Sequence, residues 1–172
     1  MKLGVKLFLA FSLVLGVLFV VGVLSLRALD RLVAVNRDIT TRTLPAVRYV
    51  SAAHEAMPGL ARLEARMLIL RDAGYAAAWK ERMAQVREDL TRLSLLLTAP
   101  SQTALLSEAR LAFDGYETVV AREQALTAQG RRQRALEVAQ TESSVLVELV
   151  EGALGRLIED IHETARGAQF EA

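Results

Sequence analysis

Three arginines, at positions 62, 66 and 71, are the side chains in this sequence best suited to binding a small ligand. A guanidinium is planar and offers paired N–H donors, so arginine suits bidentate binding of a carboxylate or a phosphate. With Leu60 and Leu63 at heptad positions a and d, Arg66 falls at g and Arg71 at e, beside the packed positions. We therefore predict Arg62, Arg66 and Arg71 as ligand-binding residues.

Acidic residues close to these arginines allow a second interpretation. Glu55, Glu64 and Asp72 are near them in the sequence and could neutralise their charge. The arginines would then be ordinary solvated or ion-paired side chains. The sequence leaves both interpretations open.

Residue combinations typical of catalysis or metal binding are missing from the sequence. The chain has no cysteine, which excludes a disulfide framework, a thiolate metal site and a cysteine nucleophile. Di-iron bundles need two Glu-x-x-His motifs, and this sequence has one, from Glu159 to His162. The only other histidine, His54, has Ser51 three residues before it instead of a glutamate. We expect no catalytic residues, no metal and no cofactor, and therefore no enzyme.

The composition favours helices and argues against a nucleic-acid partner. Among 172 residues there are 29 leucines and 27 alanines, with 10 glycines and 3 prolines. Leucine and alanine are strong helix formers, so we predict an all-α fold. The formal net charge is +1, and interspersed charges of both signs are a poor electrostatic match for nucleic acid.

The N-terminal region has the pattern of a membrane anchor. Residues 7–26 are uncharged and would span roughly 30 Å as a helix, which matches a bilayer core. A cleaved signal peptide is the alternative, but its apolar region is shorter and is followed by a small-residue cleavage site. With Lys2 and Lys6 inside, residues 1–6 are predicted to be cytoplasmic and 27–172 to lie outside.

Heptad spacing of apolar residues predicts four helices after the anchor. The first contains Pro45 and Pro58, which we expect to kink it rather than divide it, because the heptad pattern continues through both. Short turns connect the helices, so the prediction is an antiparallel up-down-up-down four-helix bundle preceded by an N-terminal transmembrane helix. The predicted helices cover residues 27–71, 75–97, 101–128 and 131–168. The heptad positions, which we expect in the core, are Leu32, Val35, Ile39, Arg42, Ala46, Tyr49, Ala53, Ala56, Leu60, Leu63, Met67 and Leu70 in the first helix, with Arg42 as the one polar exception, and Trp79, Met83, Val86, Leu90, Leu93 and Leu97 in the second. In the third they are Leu105, Ala109, Ala112, Tyr116, Val119 and Leu126, with Glu123 as a polar interruption, and in the fourth Leu136, Ala139, Ser143, Leu146, Val150, Ala153, Leu157, Ile161 and Ala165.

A second apolar stripe on the first helix predicts a homodimer. Ala61, Ala65, Leu68 and Ile69 fall off the a and d positions. A monomer would leave such a stripe in water, whereas a parallel dimer formed through the first helix would bury it. The alternative is a wider core stripe within one chain.

The chain resembles the four-helix-bundle input domain of methyl-accepting chemotaxis proteins, which membrane-bound histidine kinases share. The resemblance rests on the basic N-terminus and first span, on Leu44-Pro45, on the arginine-rich stretch 60–72, and on residues 109–137. It implies a homodimeric periplasmic sensor in the bacterial inner membrane whose ligand state shifts the fourth helix. It also implies a second span, a HAMP linker and a cytoplasmic signalling module beyond this chain.

The resemblance also bears on the ligand. Aspartate-type receptors use arginines at the distal end of the first helix to hold an amino-acid carboxylate, and the segment 66–71 is similar to that arrangement. Other members of the family respond to partner proteins. The expected partner is therefore a small carboxylate or a periplasmic protein. A rival from another functional class is a signal-anchored helical scaffold or partner-binding module.

Overall fold

The computed structural model describes residues 16, 18–27, 33, 37, 39–70 and 72–170, and these residues form helices without any strand. The all-helical fold predicted from composition and heptad spacing is therefore confirmed. From residue 39 onward the elements are π1 (Ile39–Thr43), α1 (Leu44–Leu70), α2 (Ala73–Leu96), α3 (Pro100–Ala128), α4 (Arg132–Val138), π2 (Ala139–Ser143) and α5 (Ser144–Phe170).

These elements make four helices, two of which are composite. The first helix joins π1 to α1, the second is α2, the third is α3, and the fourth joins α4, π2 and α5 without a break. α1 packs along α2, α3 packs along α5, and the two pairs meet mainly where α1 contacts α5. α2 and α3 touch only sparsely, so α1 and α5 form the centre of the assembly.

The structure accommodates both prolines of the first helix inside helical segments. Pro58 lies within α1, which continues to Leu70. Pro45 is the second residue of α1 and lacks the N–H that would bond to the carbonyl of Thr41. The wider π turn of π1 lies at that carbonyl, so the change from π to α geometry falls where proline removes an α-helical bond.

Short turns end the helices with local polar or glycine contacts. Asp72 is the N-cap of α2, and its carboxylate accepts a hydrogen bond from the Gly74 N–H at 2.7 Å. Gly130 follows α3 with φ of 77°, a left-handed conformation that glycine adopts without a steric penalty.

The buried face of α1 differs from the predicted one at every second position. Four of the predicted core residues are buried: Ala46, Ala53, Leu60 and Met67. At the alternate positions, Val50 is buried in place of Tyr49, and Glu64 is buried in place of Leu63. Met57 is buried in addition to the predicted Ala56. Tyr49 and Leu63 are half-buried and pack against the core edge. A helix that contacts two neighbours buries a wider stripe than the a and d positions alone.

The π turn inside the fourth helix changes which face is buried. Before π2 the buried residues are Ala135 and Val138, and the next is Ser143, five residues later. The π-helical turn contains the additional residue that this longer step requires. Ser143 is thereby placed in the core at 1% exposure, and the usual spacing resumes with Val147 and Val150.

The predicted transmembrane span at residues 7–26 falls partly outside the described residues. Of that segment, residues 16 and 18–26 are described and are helical. Within the described part of the chain, no helix is both long and apolar enough to cross a membrane.

Candidate functional site

Two of the three arginines predicted to bind a ligand lie on the exposed surface of α1. Arg62 donates from its Nε to the backbone oxygen of Pro58 at 3.1 Å. The guanidinium of Arg66 lies 5.6 Å from the ring centroid of Tyr75 on α2, a cation–π distance. Arg71 lies outside the described residues. The structure thus leaves the guanidinium groups of Arg62 and Arg66 accessible to solvent.

The acidic residues expected to neutralise these arginines have other contacts. Glu64 points into the bundle core, where its carboxylate accepts a hydrogen bond from Tyr116. Asp72 caps α2. Glu55 lines a groove between α1 and α2. Among the described side chains, none of these three carboxylates forms an ion pair with Arg62 or Arg66.

The four residues of the predicted dimer stripe differ in exposure. Ala65 and Ile69 are exposed, and Ala61 is half-buried. Leu68 is only 4% exposed within the single chain. It lines a cavity of about 480 Å³ at the end of the bundle where α1 ends and α2 begins, which we call the distal cavity. The other lining residues are Met67, Asp72, Ala73, Ala76, Gln124, Thr127 and Ala128.

A second concave site, the α1–α2 groove, brings three other arginines together. Its volume is about 400 Å³, which is within the range that holds small ligands. Three guanidinium groups and two carboxylates line the groove, so positive groups outnumber negative ones in its lining. It is lined by Arg48, Tyr49, Ala52, Glu55, Ala56, Arg82, Gln85, Asp89 and Arg92.

Contacts inside the α1–α2 groove hold several of its polar groups in place. Arg92 donates to the hydroxyl of Tyr49 at 3.1 Å, and its guanidinium lies 5.4 Å from the centre of that ring. It also forms an ion pair with Glu88. Asp89 is 5% exposed and accepts a hydrogen bond from Gln85 at 3.2 Å. The groove therefore combines one oriented cationic donor, Arg92, with one buried carboxylate, Asp89.

Five buried side chains from all four helices form what we call the core polar cluster: Glu64, Trp79, Tyr116, Glu123 and Ser143. The Trp79 Nε1–H donates to the Tyr116 hydroxyl at 3.3 Å, and that hydroxyl donates to Glu64 Oε2 at 2.7 Å. The Ser143 hydroxyl donates to Glu123 Oε1. The rings of Trp79 and Tyr116 lie 6.1 Å apart.

Burial shifts the acid–base behaviour of this cluster. Burial raises the pKa of Glu64, although its hydrogen bond from Tyr116 opposes the shift. Burial raises the pKa of Glu123 to about 8; the hydrogen bond from Ser143 lowers it and the nearby charge of Glu64 raises it. For Tyr116, burial and then the charge of Glu64 raise the pKa above its ordinary value. Two buried carboxyls this close do not both ionise readily at neutral pH.

Comparison with known families decides the class of this chain. A family model described as a four helix bundle sensory module for signal transduction matches residues 1–169. The chain belongs to this family. A solved structure described as the periplasmic sensor domain of a sensor histidine kinase has the same fold, with a TM-score of 0.65 at 14% identity, over 73% of this chain and 86% of that one. No curated protein matches the chain.

The prediction of a sensory input domain for signal transduction is therefore confirmed. The structure adds two features to this sensory module that sequence reasoning missed. One is the α1–α2 groove, whose arginines come from two helices and are grouped only when those helices pack. The other is the core polar cluster. Trp79, Tyr116 and Ser143 lie at predicted heptad positions, and Glu123 is a polar interruption of the heptad pattern in the third helix. Glu64 lies one position beyond the predicted Leu63, so the cluster as a whole was not recognised.

Among the described residues, no group of three or more histidine or acidic side chains is placed to hold a metal ion. The core polar cluster supplies two carboxylates and two hydroxyls, and both hydroxyls already donate hydrogen bonds to those carboxylates. The described part of the chain thus presents guanidinium groups in a surface groove and two buried carboxyls in its core.

Proposed function

We propose that this chain is the extracytoplasmic input domain of a transmembrane receptor, a chemoreceptor or a sensor histidine kinase, and that it binds a small carboxylate in the α1–α2 groove. The observation that carries the ligand class is the meeting of Arg48, Arg82 and Arg92 around one groove. Guanidinium groups bind carboxylates with paired hydrogen bonds. Asp89 could receive the ammonium group of an amino acid, so zwitterionic ligands fit as well.

Residues 7–26 anchor the domain in the bacterial inner membrane in this proposal, with residues 1–6 in the cytoplasm and the bundle in the periplasm. The support comes from the uncharged run of 20 residues and the lysines that precede it. The similar solved domain, described as periplasmic, is consistent with this location.

The helices run up-down-up-down in this proposal, and the fourth helix carries the signal to the membrane. Contacts between sequence-distant residues support the antiparallel order of the third and fourth helices. Ser101, at the start of α3, donates to Asp160 near the end of the fourth helix. Arg122, near the end of α3, forms an ion pair with Glu142 in π2. The fourth helix contacts both α1 and α3, so a change in either reaches it directly.

Dimerisation through the first helix is part of the proposal. Ile69 and Leu70 are 56% and 58% exposed at the end of α1, next to Ala65. Ala65 and Ile69 lie four residues apart on the same face of the helix. Neighbouring exposed apolar side chains of this kind are typical of an interface, whereas a single exposed leucine is not. The substitution Ile69→Glu should convert the dimer to a monomer in sedimentation of the full chain in detergent, whereas Leu95→Glu, at an 81% exposed leucine of α2, should not.

Thermal unfolding of the full 172-residue chain in mild detergent tests the ligand site. Aspartate, succinate and citrate serve as probes, because a ligand that binds the folded state alone raises its stability by about 2.7 kcal/mol at 100 times Kd. We expect at least one probe to raise the melting temperature, and Arg48→Met or Arg82→Met to abolish the rise. Arg132→Met, at an exposed arginine of α4, is the matched control.

Two results would contradict the groove as the ligand site. If Arg62→Met and Arg66→Met abolish the rise and the groove variants keep it, the ligand binds at the exposed face of α1. If no carboxylate raises the melting temperature, the ligand class is wrong, and a periplasmic partner protein becomes the better proposal. We also propose that the domain has no catalytic activity and no nucleic-acid partner. Signalling by the whole receptor distinguishes this function from a membrane-tethered scaffold.

A further inference from the structure

The core polar cluster contains a hydrogen-bonding defect that a single proton removes. Glu64 and Glu123 are 5% and 0% exposed, and each carboxyl lies within hydrogen-bonding reach of the other. Glu123 Oε2 is buried without a hydrogen-bond partner. A buried acceptor without a partner costs free energy, and two buried carboxylates side by side cost more. When one carboxyl carries a proton, its O–H donates to the other and both groups are satisfied.

We propose that Glu64 and Glu123 form a proton-binding site in the bundle core, and that occupancy of this site controls how the fourth helix packs at π2. With one proton bound, the pair is a carboxylic acid that donates to a carboxylate. When that proton leaves to water, two carboxylates face each other in the core. Their repulsion and their need for water act on the contact between α3 and the fourth helix, where Ser143 holds Glu123.

The charged groups around the pair leave it poorly compensated. Tyr116 of α3 donates to Glu64, and the cluster residue from α2 is the uncharged Trp79. The one cation that contributes is Arg122, whose charge lowers the pKa of Glu123. Its guanidinium is already paired with Glu142 of π2 at the surface. When both carboxyls are ionised, no unpaired cation among the described side chains that act on the pair balances the second negative charge. A bound proton therefore balances it instead.

The position of the site connects the proton to the helix that leads toward the C-terminus. π2 is an irregular turn in an otherwise continuous helix, and its last residue, Ser143, is the one that enters the core. Single π turns inside α-helices are frequent at functional sites. Because Ser143 donates to Glu123, a displacement of the ionised Glu123 away from Glu64 moves Ser143 with it. This movement changes the packing of π2 and rotates the two ends of the fourth helix relative to each other.

The only tryptophan of the chain reports on the site directly. Trp79 donates to Tyr116, which donates to Glu64, so the indole environment changes when the pair ionises. The experiment records tryptophan emission of the full chain in detergent from pH 6 to pH 10. We expect one reversible transition with a midpoint within about one unit of pH 8, because burial raises the pKa of Glu123 to about 8. Absence of any transition in this range overturns the proposal without the need for a variant.

Substitutions assign the transition to the pair. Glu123→Gln keeps the shape of the side chain and supplies an N–H donor to Glu64, so the remaining carboxyl should ionise at least one pH unit lower. The double variant Glu64→Gln/Glu123→Gln should lose the transition. Glu148→Gln, at an exposed residue of α5, is the matched control and should leave the midpoint unchanged. A transition that survives in the double variant belongs to another group and contradicts the proposal.

Added salts distinguish proton binding from the binding of a metal cation by the same two carboxyls. The titration is repeated in the presence of 5 mM MgCl₂ or 150 mM KCl, and neither salt should move its midpoint. A shift of more than half a pH unit would assign the pair to a metal cation and overturn a proton site. The proposal rests on the proposed function only in giving the proton a signalling role. The titration measures proton binding alone. A failure of carboxylates to bind in the groove would therefore not contradict the proton site, and the absence of a titration would not contradict carboxylate binding.

Discussion

The bundle core contains an apolar region and a polar region, and they differ in what they require of their surroundings. Side chains such as Val50, Val86 and Leu157 are fully buried and need only close packing. The core polar cluster needs a hydrogen-bond partner for each donor and acceptor. When both carboxyls are ionised, Oε2 of Glu123 has no such partner. Apolar burial is non-directional, whereas a buried polar network is sensitive to the loss of a single proton or hydrogen bond.

The comparison assigns different roles to the two regions. Apolar burial contributes about 25 cal/mol per Å² and changes little with pH, so it holds the four helices together under all conditions. The polar cluster joins side chains from all four helices and contains two buried carboxyls whose pKa values burial raises, that of Glu123 to about 8. A sensory module needs both: a stable frame and one element with two arrangements.

The largest effect should come from a cavity in the apolar region. Phe113 is 1% exposed, and Phe113→Ala should lower the free energy of unfolding by about 3–5 kcal/mol. Urea unfolding followed by circular dichroism at pH 6 and pH 9 measures it, and the loss should be the same at both. Leu111→Ala, two residues away and 77% exposed, is the control and should change stability by less than about 0.5 kcal/mol. A loss for Phe113→Ala that depends strongly on pH would mean that the two regions are not independent.

The second helix shows how well heptad spacing predicts a core, and the others show its limit. All six heptad residues predicted in the second helix are buried: Trp79, Met83, Val86, Leu90, Leu93 and Leu97. In α1 and α3 every second buried residue lies one position beyond the predicted one. α2 packs closely against α1 alone, so a narrow stripe suffices, whereas α1 packs against both α2 and α5 and buries a wider one.

The same shift explains why sequence reasoning missed the core polar cluster. Glu64 follows the predicted core residue Leu63, so heptad spacing places it at the surface beside the arginines. Ser143 was expected in the core, but the π turn that places it there has no sequence signal that we recognised. The groove arginines were missed for a different reason. Arg48 and Arg82 are 34 residues apart and meet only through the register of α1 on α2.

The intermediate effect concerns the pH dependence of stability. The pKa of Glu123 is about 8 in the folded chain against an ordinary value of 4.5, so between these pH values the folded chain holds a proton that the unfolded chain has lost. The free energy of unfolding should therefore fall as the pH rises from about 4.5 to about 8, by up to about 1.4 kcal/mol per pH unit for one proton. Urea unfolding at successive pH values measures this slope.

The double variant Glu64→Leu/Glu123→Leu sharpens the comparison, because it converts the polar region into an apolar one. Its free energy of unfolding should depend much less on pH than that of the parent. At pH 9 it should be higher than that of the parent, since replacing buried charges by apolar groups is often stabilising. A parent chain whose stability rises between pH 5 and pH 8 would show that the buried carboxyls are ionised throughout and that their pKa values are not raised.

The smallest effect on stability should come from Arg122→Met. This substitution should nevertheless shift the pH midpoint of the tryptophan transition. Arg122 and Glu142 form a surface ion pair with side chains 50% and 44% exposed, and such pairs contribute only ~0–1 kcal/mol. The charge of Arg122 also lowers the pKa of Glu123. Removing it should therefore raise the midpoint of the tryptophan transition while stability at pH 6 falls by less than about 1 kcal/mol.

Arg87→Met is the matched control for this last prediction. Arg87 forms an ion pair with Glu117 at nearly the same exposures, 50% and 46%, and a longer one with the exposed Asp114 at 3.5 Å. Its charge does not contribute to the pKa of Glu123. The two variants should lose similar stability, and only Arg122→Met should shift the midpoint upward. Equal shifts in both would show that the polar region senses the net charge of the surface rather than the one guanidinium beside it. A downward shift for Arg122→Met would contradict the assignment of the transition to a buried carboxyl.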